Sequence, residues 1–319
     1  MTRTRPHSLP ADNESCVYGP VPSRRLGFSL GIDLLPYKTC SMDCIYCQLG
    51  PSSKKRVGRK ELVPVREVLA QIKRALAGGQ KIDCLTFSGS GEPTLHAGLG
   101  RIIAGIKRIT AIPVVVLTNS SLLSSPKVRR DLRAADIVVP SLDAVTPSVF
   151  AKVNRPHPRL NLTKIIDGLA RFRKEYKGQI WLEVMLVKGV NDGRPHLKKL
   201  KETIALIQPD RVQLNTVVRP PAEKFARALR VEELEKIKSF LGTTAEIIAD
   251  FRTRDQVRSD RDTGEAILSA VRRRPMTAQD ISLSLGKPLE EVCAHLVRLV
   301  RQGRLKGLSH KGLEYYEPL

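Results

Sequence analysis

The residue types best suited to chemistry in this sequence are three cysteines, Cys40, Cys44 and Cys47, in the spacing C-x3-C-x2-C. Thiolates packed this closely can hold three corners of a metal centre. A closed structural zinc site needs a fourth ligand, and only Cys16, 24 residues upstream, stays open for that role. Three ligands without a fourth fit a [4Fe–4S] cluster with one open iron. A structural metal knuckle is the alternative interpretation.

The other two cysteines have simpler interpretations. Cys84 lies inside an apolar run that predicts a strand. Cys293 shares a predicted helix face with Leu296, Val297 and Val300. We therefore expect Cys293 to be a small residue of the hydrophobic core.

A glycine-rich turn, Ser88-Gly89-Ser90-Gly91-Glu92-Pro93, follows the second predicted strand. Glycine at a strand end lets a ligand approach the backbone closely, and Glu92 adds a carboxylate. Taken alone, the segment is also compatible with an ordinary strand-to-helix turn.

The cysteine spacing, with Tyr46 directly before the third cysteine, resembles the radical S-adenosylmethionine (SAM) superfamily. In that family the open iron binds the amino and carboxylate groups of SAM. One electron then cleaves SAM to methionine and a 5′-deoxyadenosyl radical, which abstracts a hydrogen atom from the substrate. The glycine-rich turn resembles the family's Gly-Gly-Glu motif, which receives the SAM ammonium group, with Ser90 in place of the first glycine.

The resemblance implies roles for individual residues. The cluster ligands would be Cys40, Cys44 and Cys47, and no catalytic residue is assigned beyond the cluster. The residues expected to bind SAM are Tyr46, Ser90, Gly91 and Glu92, with Asn119, Ser141 and Asp143 at later strand ends as candidates for the ribose. The candidates for substrate binding are Arg155, Asn215 and Arg219.

Three segments narrow the resemblance: residues 19–27, the glycine-rich turn, and residues 215–221. They are similar to a branch of Fe–S oxidoreductases related to the tRNA wyosine-base synthases. Those synthases carry a second cluster on three upstream cysteines, whereas this sequence has only Cys16 there. We therefore expect no second cluster of that kind and no wyosine synthesis.

Between residue 28 and about 251, short apolar runs rich in β-branched residues alternate with amphipathic stretches such as 65–76 and 162–172. The runs are Phe28–Leu35, Ile82–Ser88, Ile112–Thr118, Asp136–Leu142, Ile180–Val187, Arg211–Val217 and Glu246–Asp250. Repeated strand–helix units predict an α/β fold with a parallel sheet. We expect a partial (β/α)6 TIM-like barrel with its chemistry at the carboxyl ends of the strands.

The predicted organisation is a loose leader over 1–15, the barrel over 16–251, a charged linker over 252–262 and a small domain over 263–319. Helical patterns cover Gly264–Arg273, Thr277–Leu285 and Leu289–Gln302, and glycines then separate two short runs. Three helices and a hairpin predict a winged-helix-like domain.

The composition sets the class of protein. The 27% of charged residues and the mean hydropathy of −0.19 exclude a collagen-like, mucin-like or wholly disordered chain. No apolar run approaches a membrane span, and the first 15 residues lack a secretory signal. Six cysteines in such a chain do not suggest a disulfide scaffold, so we expect a cytoplasmic protein with no membrane partner.

The 54 Lys and Arg against 32 Asp and Glu give a net charge of +22. Residues 251–319 contain only 13 Lys and Arg and 9 Asp and Glu, so most of the excess positive charge belongs to the barrel region. An RNA, with tRNA first, is the leading substrate class. The alternatives are a peptide or protein substrate and an Fe–S redox-sensing DNA-binding regulator. The basic run over 54–60 could meet a polyanion or an acidic electron donor such as flavodoxin or ferredoxin.

Overall fold

The computed structural model describes residues 15–23, 25–52, 55–242, 244–248, 263–272 and 274–319. Residues 1–14 of the predicted leader, the predicted linker over 252–262 and Lys54 of the basic run lie outside these ranges. The first group of strands is β1 Val17–Ser23, β2 Gly27–Ile32, β3 Cys84–Phe87, β4 Val114–Thr118, β5 Ile137–Pro140, β6 Gln179–Leu186, β7 Arg211–Thr216 and β8 Ala245–Ile247. The helices between them are α1 Val65–Leu76, α2 Leu99–Ile109, α3 Pro126–Leu132, α4 Pro147–Val153, α5 Leu162–Glu175, α6 Arg194–Ile207 and α7 Val231–Leu241.

These strands form one eight-stranded sheet in the order β1 to β8. Strands β2 to β8 run parallel, and each overlaps one of the seven predicted apolar runs. The predicted α/β fold with a parallel sheet is therefore confirmed. Within the described residues β1 and β8 are the two free edges, so the sheet is open. The carboxyl ends of the parallel strands share one side of the molecule, which brings the loops after them together.

Strand β1 is not among the predicted strands. It pairs antiparallel with β2, and its register shifts between Tyr18 and Val21. The prolines at 20 and 22 lack the backbone N–H that a central strand requires, so the sequence carries a weak strand signal here. An edge position tolerates both prolines because the outer side of the strand has no partner strand.

The apolar faces of the strands and helices meet in one continuous core. Buried side chains of the alternating runs fill it, including Leu30, Leu85 and Val116 of the strands and Ile72 and Ile102 of the helices. The helices begin at local signals in the sequence. The Asn161 side chain caps α5 by accepting a hydrogen bond from the backbone N–H of Lys164, and prolines open α3 and α4.

The remaining elements form a second group. They are α8 Thr263–Val271, β9 Met276–Thr277, α9 Ala278–Leu285, α10 Leu289–Arg301, β10 Leu305–His310 and β11 Leu313–Pro318. The three strands make an antiparallel sheet in the order β10-β11-β9, and the three helices cover a separate hydrophobic core. The predicted helices of this region are therefore present, with ends that differ by one or two residues.

This C-terminal unit contacts β1 and the loop after β7. Helix α9 packs on β1, and Ser284 and Leu285 line a small cavity together with Pro20 and Val21. The Tyr315 hydroxyl of β11 donates a hydrogen bond of 3.0 Å to the carbonyl of Val218, in the loop after β7.

The prediction for Cys293 is wrong, because this residue is exposed on α10. The helix has two apolar stripes, and the buried one consists of Val292, Leu296 and Leu299. No helix among the described residues is both long and apolar enough to span a membrane.

Candidate active site

The cysteine loop follows β2 and is fastened to the glycine-rich turn just before its first cysteine. The carbonyl of Thr39 accepts a hydrogen bond of 3.0 Å from the backbone N–H of Glu92, and Thr39 also bridges to Gly91. A Cβ atom at position 91 would lie 1.8 Å from the Thr39 carbonyl oxygen. Only glycine allows this approach, so Gly91 joins the two predicted motifs directly.

Backbone hydrogen bonds hold the other side of the cysteine loop. The N–H groups of Asp43 and Ile45 donate to the carbonyls of Asn154 and Val153, at 3.0 and 2.9 Å. The carbonyl of Ile45 accepts from the N–H of Glu223, in the loop after β7, at 2.9 Å. Ile45 is fully buried. Loops from three separate strands therefore fix the position of the cysteines.

Two of the three thiols receive an amide donor. The Asn119 side-chain amide donates to Cys40 Sγ and that of Asn154 to Cys44 Sγ, both at 3.4 Å. Burial, followed by the charge of Glu92, raises the pKa of Cys40 to about 12. Burial raises the pKa of Cys44 still further. Both thiols therefore keep their protons at neutral pH in the metal-free protein, and metal binding must displace them.

The third thiol lies beside a buried lysine. The Lys38 ammonium group is 3.7 Å from Asp43 Oδ1, and of the three thiols Cys47 acts on it most strongly. Lys38 is only 7% exposed. Burial alone lowers its pKa, but the neighbouring thiol groups, Cys47 foremost, raise it by more, so the net shift is upward. Lys38 therefore stays positively charged next to the cysteine loop.

The other three cysteines lie away from the cysteine loop. Cys16 donates to Gln71 of α1, Cys84 lies in β3, and Cys293 lies on α10, so none of them adds a fourth thiol to the loop. Among the described residues no three His, Cys, Asp or Glu side chains converge on a point that could hold a single metal ion. Three thiols from one loop fit a [4Fe–4S] cluster with an open iron.

Glu92, in the turn after β3, contacts the carboxyl end of the neighbouring strand β4. Its carboxylate accepts hydrogen bonds from Thr94, from the Thr118 hydroxyl at 2.6 Å and from the backbone N–H of Asn119 at 2.6 Å. Burial raises the pKa of Glu92, and these donors oppose the shift. In this structure Glu92 positions Asn119, which in turn reaches Cys40.

Ser90 is held by a carboxylate that the sequence prediction did not include. Its backbone N–H and its hydroxyl both donate to Asp33 Oδ2, at 3.0 and 2.6 Å. A Cβ atom at Gly89, whose φ is +139°, would lie 2.4 Å from the Asp33 side chain. The serine therefore fixes the turn to the end of β2, which a glycine at this position could do only through its backbone.

Tyr46 and Asp143 contact each other. The Tyr46 hydroxyl and the Asn154 amide both donate to Asp143 Oδ2, and the backbone N–H of Met185 donates to Oδ1 at 2.9 Å. Burial raises the pKa of Asp143 to about 6, although these donors lower it. A carboxylate has about four acceptor sites, so Asp143 keeps capacity for a further donor.

A small cleft joins the strand-end residues. Its walls include Asn119, Ser141, Asp143 and Asn154. The carbonyl of Ser141 also accepts from the Ser120 hydroxyl at 2.7 Å. The structure therefore brings together the cysteine loop and the three candidates for the SAM ribose.

The three substrate candidates each have a different partner. Arg155 pairs with Glu223 and so fastens the loop after β7. The guanidinium of Arg219 is 3.4 Å from the side-chain oxygen of Gln48, next to Cys47.

Asn215 is buried in β7, where its amide donates to Glu183 at 3.2 Å. Glu183 also pairs with Arg25, from the turn between β1 and β2. Asn215 therefore belongs to a polar network that links β6, β7 and the turn between β1 and β2.

Sequence reasoning missed Lys38 and Asn154 as site residues. Lys38 is two residues from Cys40, but a single lysine carries no spacing signature. Asn154 directly precedes Arg155, which the sequence analysis named only as a candidate for substrate binding. The positive φ of Lys38, +56°, is visible only in the structure.

The open parallel sheet and the three-thiol loop at its carboxyl edge define an α/β iron–sulfur protein. A family model described as the radical SAM superfamily matches residues 34–200. The chain therefore belongs to the radical SAM superfamily. It is an enzyme whose cofactors are a [4Fe–4S] cluster and SAM.

Two relatives span most of this chain. A UPF0026 protein from Methanocaldococcus jannaschii is 32% identical over 94% of this chain and 94% of its own length. A protein from Brachyspira hyodysenteriae named GTPase Obg is 40% identical over 91% of this chain, but the match covers only 43% of that protein. The chain thus corresponds to less than half of that larger relative.

Among solved structures, a radical SAM methyltransferase from Sphaerobacter thermophilus superimposes with a TM-score of 0.55. The match covers 69% of this chain and 65% of that one, at 19% identity. At this identity the similarity concerns the fold.

Proposed function

We propose that this enzyme abstracts a hydrogen atom from an RNA substrate, and that Cys40, Cys44 and Cys47 ligate its cluster. When bound and reduced, the cluster supplies the electron that cleaves SAM to methionine and the 5′-deoxyadenosyl radical. The observation that supports the ligand assignment is the convergence of three loops on this one cysteine loop. The electron would come from a reduced flavodoxin or ferredoxin in the cytoplasm.

The residues proposed to hold SAM surround the same loop. They are Tyr46, Ser90, Gly91, Glu92, Asn119, Ser141 and Asp143. The Glu92 network orients Asn119, and the Asp143 network orients Tyr46, so each of these two candidates has a second residue that fixes its position.

The test is anaerobic reconstitution followed by reduction with dithionite in the presence of SAM. We expect 5′-deoxyadenosine and methionine, and their loss when any of the three cysteines is replaced by alanine. Cys84→Ala is the matched control, because this thiol lies in β3 and contacts none of the cysteine loop. A wild-type protein that binds iron but forms no 5′-deoxyadenosine would contradict the proposal.

The loops at the carboxyl edge of the sheet support an RNA substrate. The segments after β2 to β7 (33–64, 88–98, 119–125, 141–161, 187–193 and 217–230) contain 14 Lys and Arg but only 7 Asp and Glu. Several cations in these loops are exposed and form no ion pair within the described residues: Arg56, Lys60, Lys152, Arg159, Lys224 and Arg227. Arg59 is different, because it pairs with Asp131. Exposed cations along the carboxyl edge of the sheet suit the binding of the phosphate backbone of an RNA.

Salt dependence tests the RNA proposal. If about six phosphates are neutralised, affinity for a bulk tRNA fraction should fall about a thousandfold between roughly 50 and 200 mM salt. Lys224→Ala with Arg227→Ala should reduce the salt slope by about 2. Lys73→Ala on the exposed face of α1 is the control and should leave the slope unchanged. Affinity that does not respond to salt would contradict an RNA substrate.

We also propose that residues 16–251 form a partial (β/α)6-type barrel and that residues 263–319 form a winged-helix-like domain after a linker over 252–262.

One observation favours a second candidate function, the modification of a protein. Helix α10 exposes an apolar stripe in which Leu289, Val297 and Val300 are 46%, 51% and 39% accessible. A protein partner fits this surface better than a nucleic acid does. Crosslinking of the anaerobic protein followed by mass spectrometry separates the two substrates.

A further inference from the structure

Two thiols of the cysteine loop accept a hydrogen bond from a side-chain amide, and the third lies beside a cation. Cys40 and Cys44 receive neutral side-chain amides, whereas Cys47 lies beside the ammonium group of Lys38. Hydrogen bonds and charges at the cysteine sulfurs are among the main determinants of the reduction potential of an iron–sulfur cluster. Lys38 therefore differs from the amides in kind, because it brings a full charge.

The surroundings of Lys38 hold this charge in place and keep it strong. The residue takes a left-handed backbone conformation with φ of +56°, in a tight turn that the N–H of Thr39 closes on the carbonyl of Pro36 at 3.1 Å. Its side chain is 5% exposed, so water screens it little.

One carboxylate faces the lysine from the same loop. Asp43 Oδ1 is 3.7 Å from the ammonium nitrogen and also accepts the backbone N–H of Ser52 at 2.6 Å. At 3.7 Å and with a second donor, Asp43 compensates the lysine only in part. The part of the Lys38 charge that Asp43 does not compensate therefore acts on the sulfur of Cys47 and on a cluster bound to it.

We propose that Lys38 is a positioning residue that raises the reduction potential of the cluster by placing a buried positive charge beside Cys47. Reduction adds one electron to the cluster, taken from the external flavodoxin- or ferredoxin-type donor, and no proton or leaving group moves in this step. A nearby cation stabilises the more negative, reduced form, so the electron transfers at a less negative potential. This proposal rests on the assignment of the three cysteines as cluster ligands.

The test is the midpoint potential of the reconstituted cluster, measured by an anaerobic redox titration followed by electron paramagnetic resonance. Lys38→Gln should shift the potential to more negative values at unchanged iron content. Lys38→Arg should restore the wild-type value, because it keeps the charge. A Lys38→Gln potential equal to that of the wild type would overturn the proposal, and so would an equal shift in both variants.

Asp43→Asn provides the independent arm, since it keeps Lys38 and an oxygen acceptor for Ser52. Removing the compensating carboxylate should shift the potential to less negative values, opposite to the effect of Lys38→Gln. This arm decides the question if Lys38→Gln fails to bind iron, and an unshifted potential in Asp43→Asn would then overturn the proposal. If the assignment of the three cysteines as ligands is wrong, the wild-type protein itself binds no cluster. That result is distinct from an unshifted potential in a protein that does bind the cluster.

Discussion

Replacing Gly91 by alanine should separate the cysteine loop from the glycine-rich turn. The added methyl group would lie 1.8 Å from the Thr39 carbonyl oxygen, whereas ordinary contact begins at 3.4 Å. The two segments must therefore move apart by about 1.6 Å. That displacement breaks the hydrogen bond from Glu92 to Thr39 and leaves a buried backbone N–H without its partner.

The cost follows from these two effects. Overpacking of this kind destabilises a protein by about 1–3 kcal/mol, and the lost hydrogen bond adds about 1 kcal/mol. We expect the free energy of unfolding to fall by about 2–4 kcal/mol. The melting temperature should then fall by roughly 3–6 °C for a chain of this size. Because Thr39 directly precedes Cys40, iron content after reconstitution should fall as well.

The assay is thermal unfolding of the metal-free protein together with iron content per chain after reconstitution. Gly58→Ala is the matched control, because it lies in the same loop and no atom is within 4 Å of the added Cβ. We expect this control to change stability by less than about 0.5 kcal/mol. The reasoning is refuted if Gly91→Ala unfolds at the wild-type temperature and binds a full complement of iron.

Two further predictions concern other buried or exposed groups. His96 is fully buried, its ring accepts the N–H of Gly98 at 3.1 Å, and burial lowers its pKa below the usual 6.5. Its contribution to stability is present above pH 6.5 and is lost as the pH falls towards its lowered folded-state pKa, by up to about 1.4 kcal/mol per pH unit. Denaturant titrations at pH 7.5 and 5 should show a smaller loss in His96→Asn than in the wild type, and an equal loss in both would contradict the assignment to His96. Cys293 is exposed whereas Cys84 is buried, so brief iodoacetamide treatment of the native protein should alkylate Cys293 first. Peptide mass spectrometry checks the order, and preferential labelling of Cys84 would contradict the structure.

The sequence allowed the cysteine loop, the glycine-rich turn and the seven parallel strands to be predicted, because each has a repeating or spaced signature. Strand β1 escaped prediction because its prolines are tolerated only at an edge, and edge position is a property of the assembled sheet. Cys293 was misplaced because α10 has two apolar stripes, and periodicity does not decide which one faces the core. Lys38 escaped because its contact with Cys47 depends on a tight turn formed by a single residue in a left-handed conformation.

The contact between α9 and β1 bears on the behaviour of the protein at high concentration. An open parallel sheet exposes strand edges that can pair with other chains and start aggregation. At the β1 edge this chain combines three kinds of protection: a shifted register after Tyr18, prolines without N–H groups, and the covering helix α9. The C-terminal unit thus keeps the sheet from growing at this edge, whatever substrate the enzyme modifies.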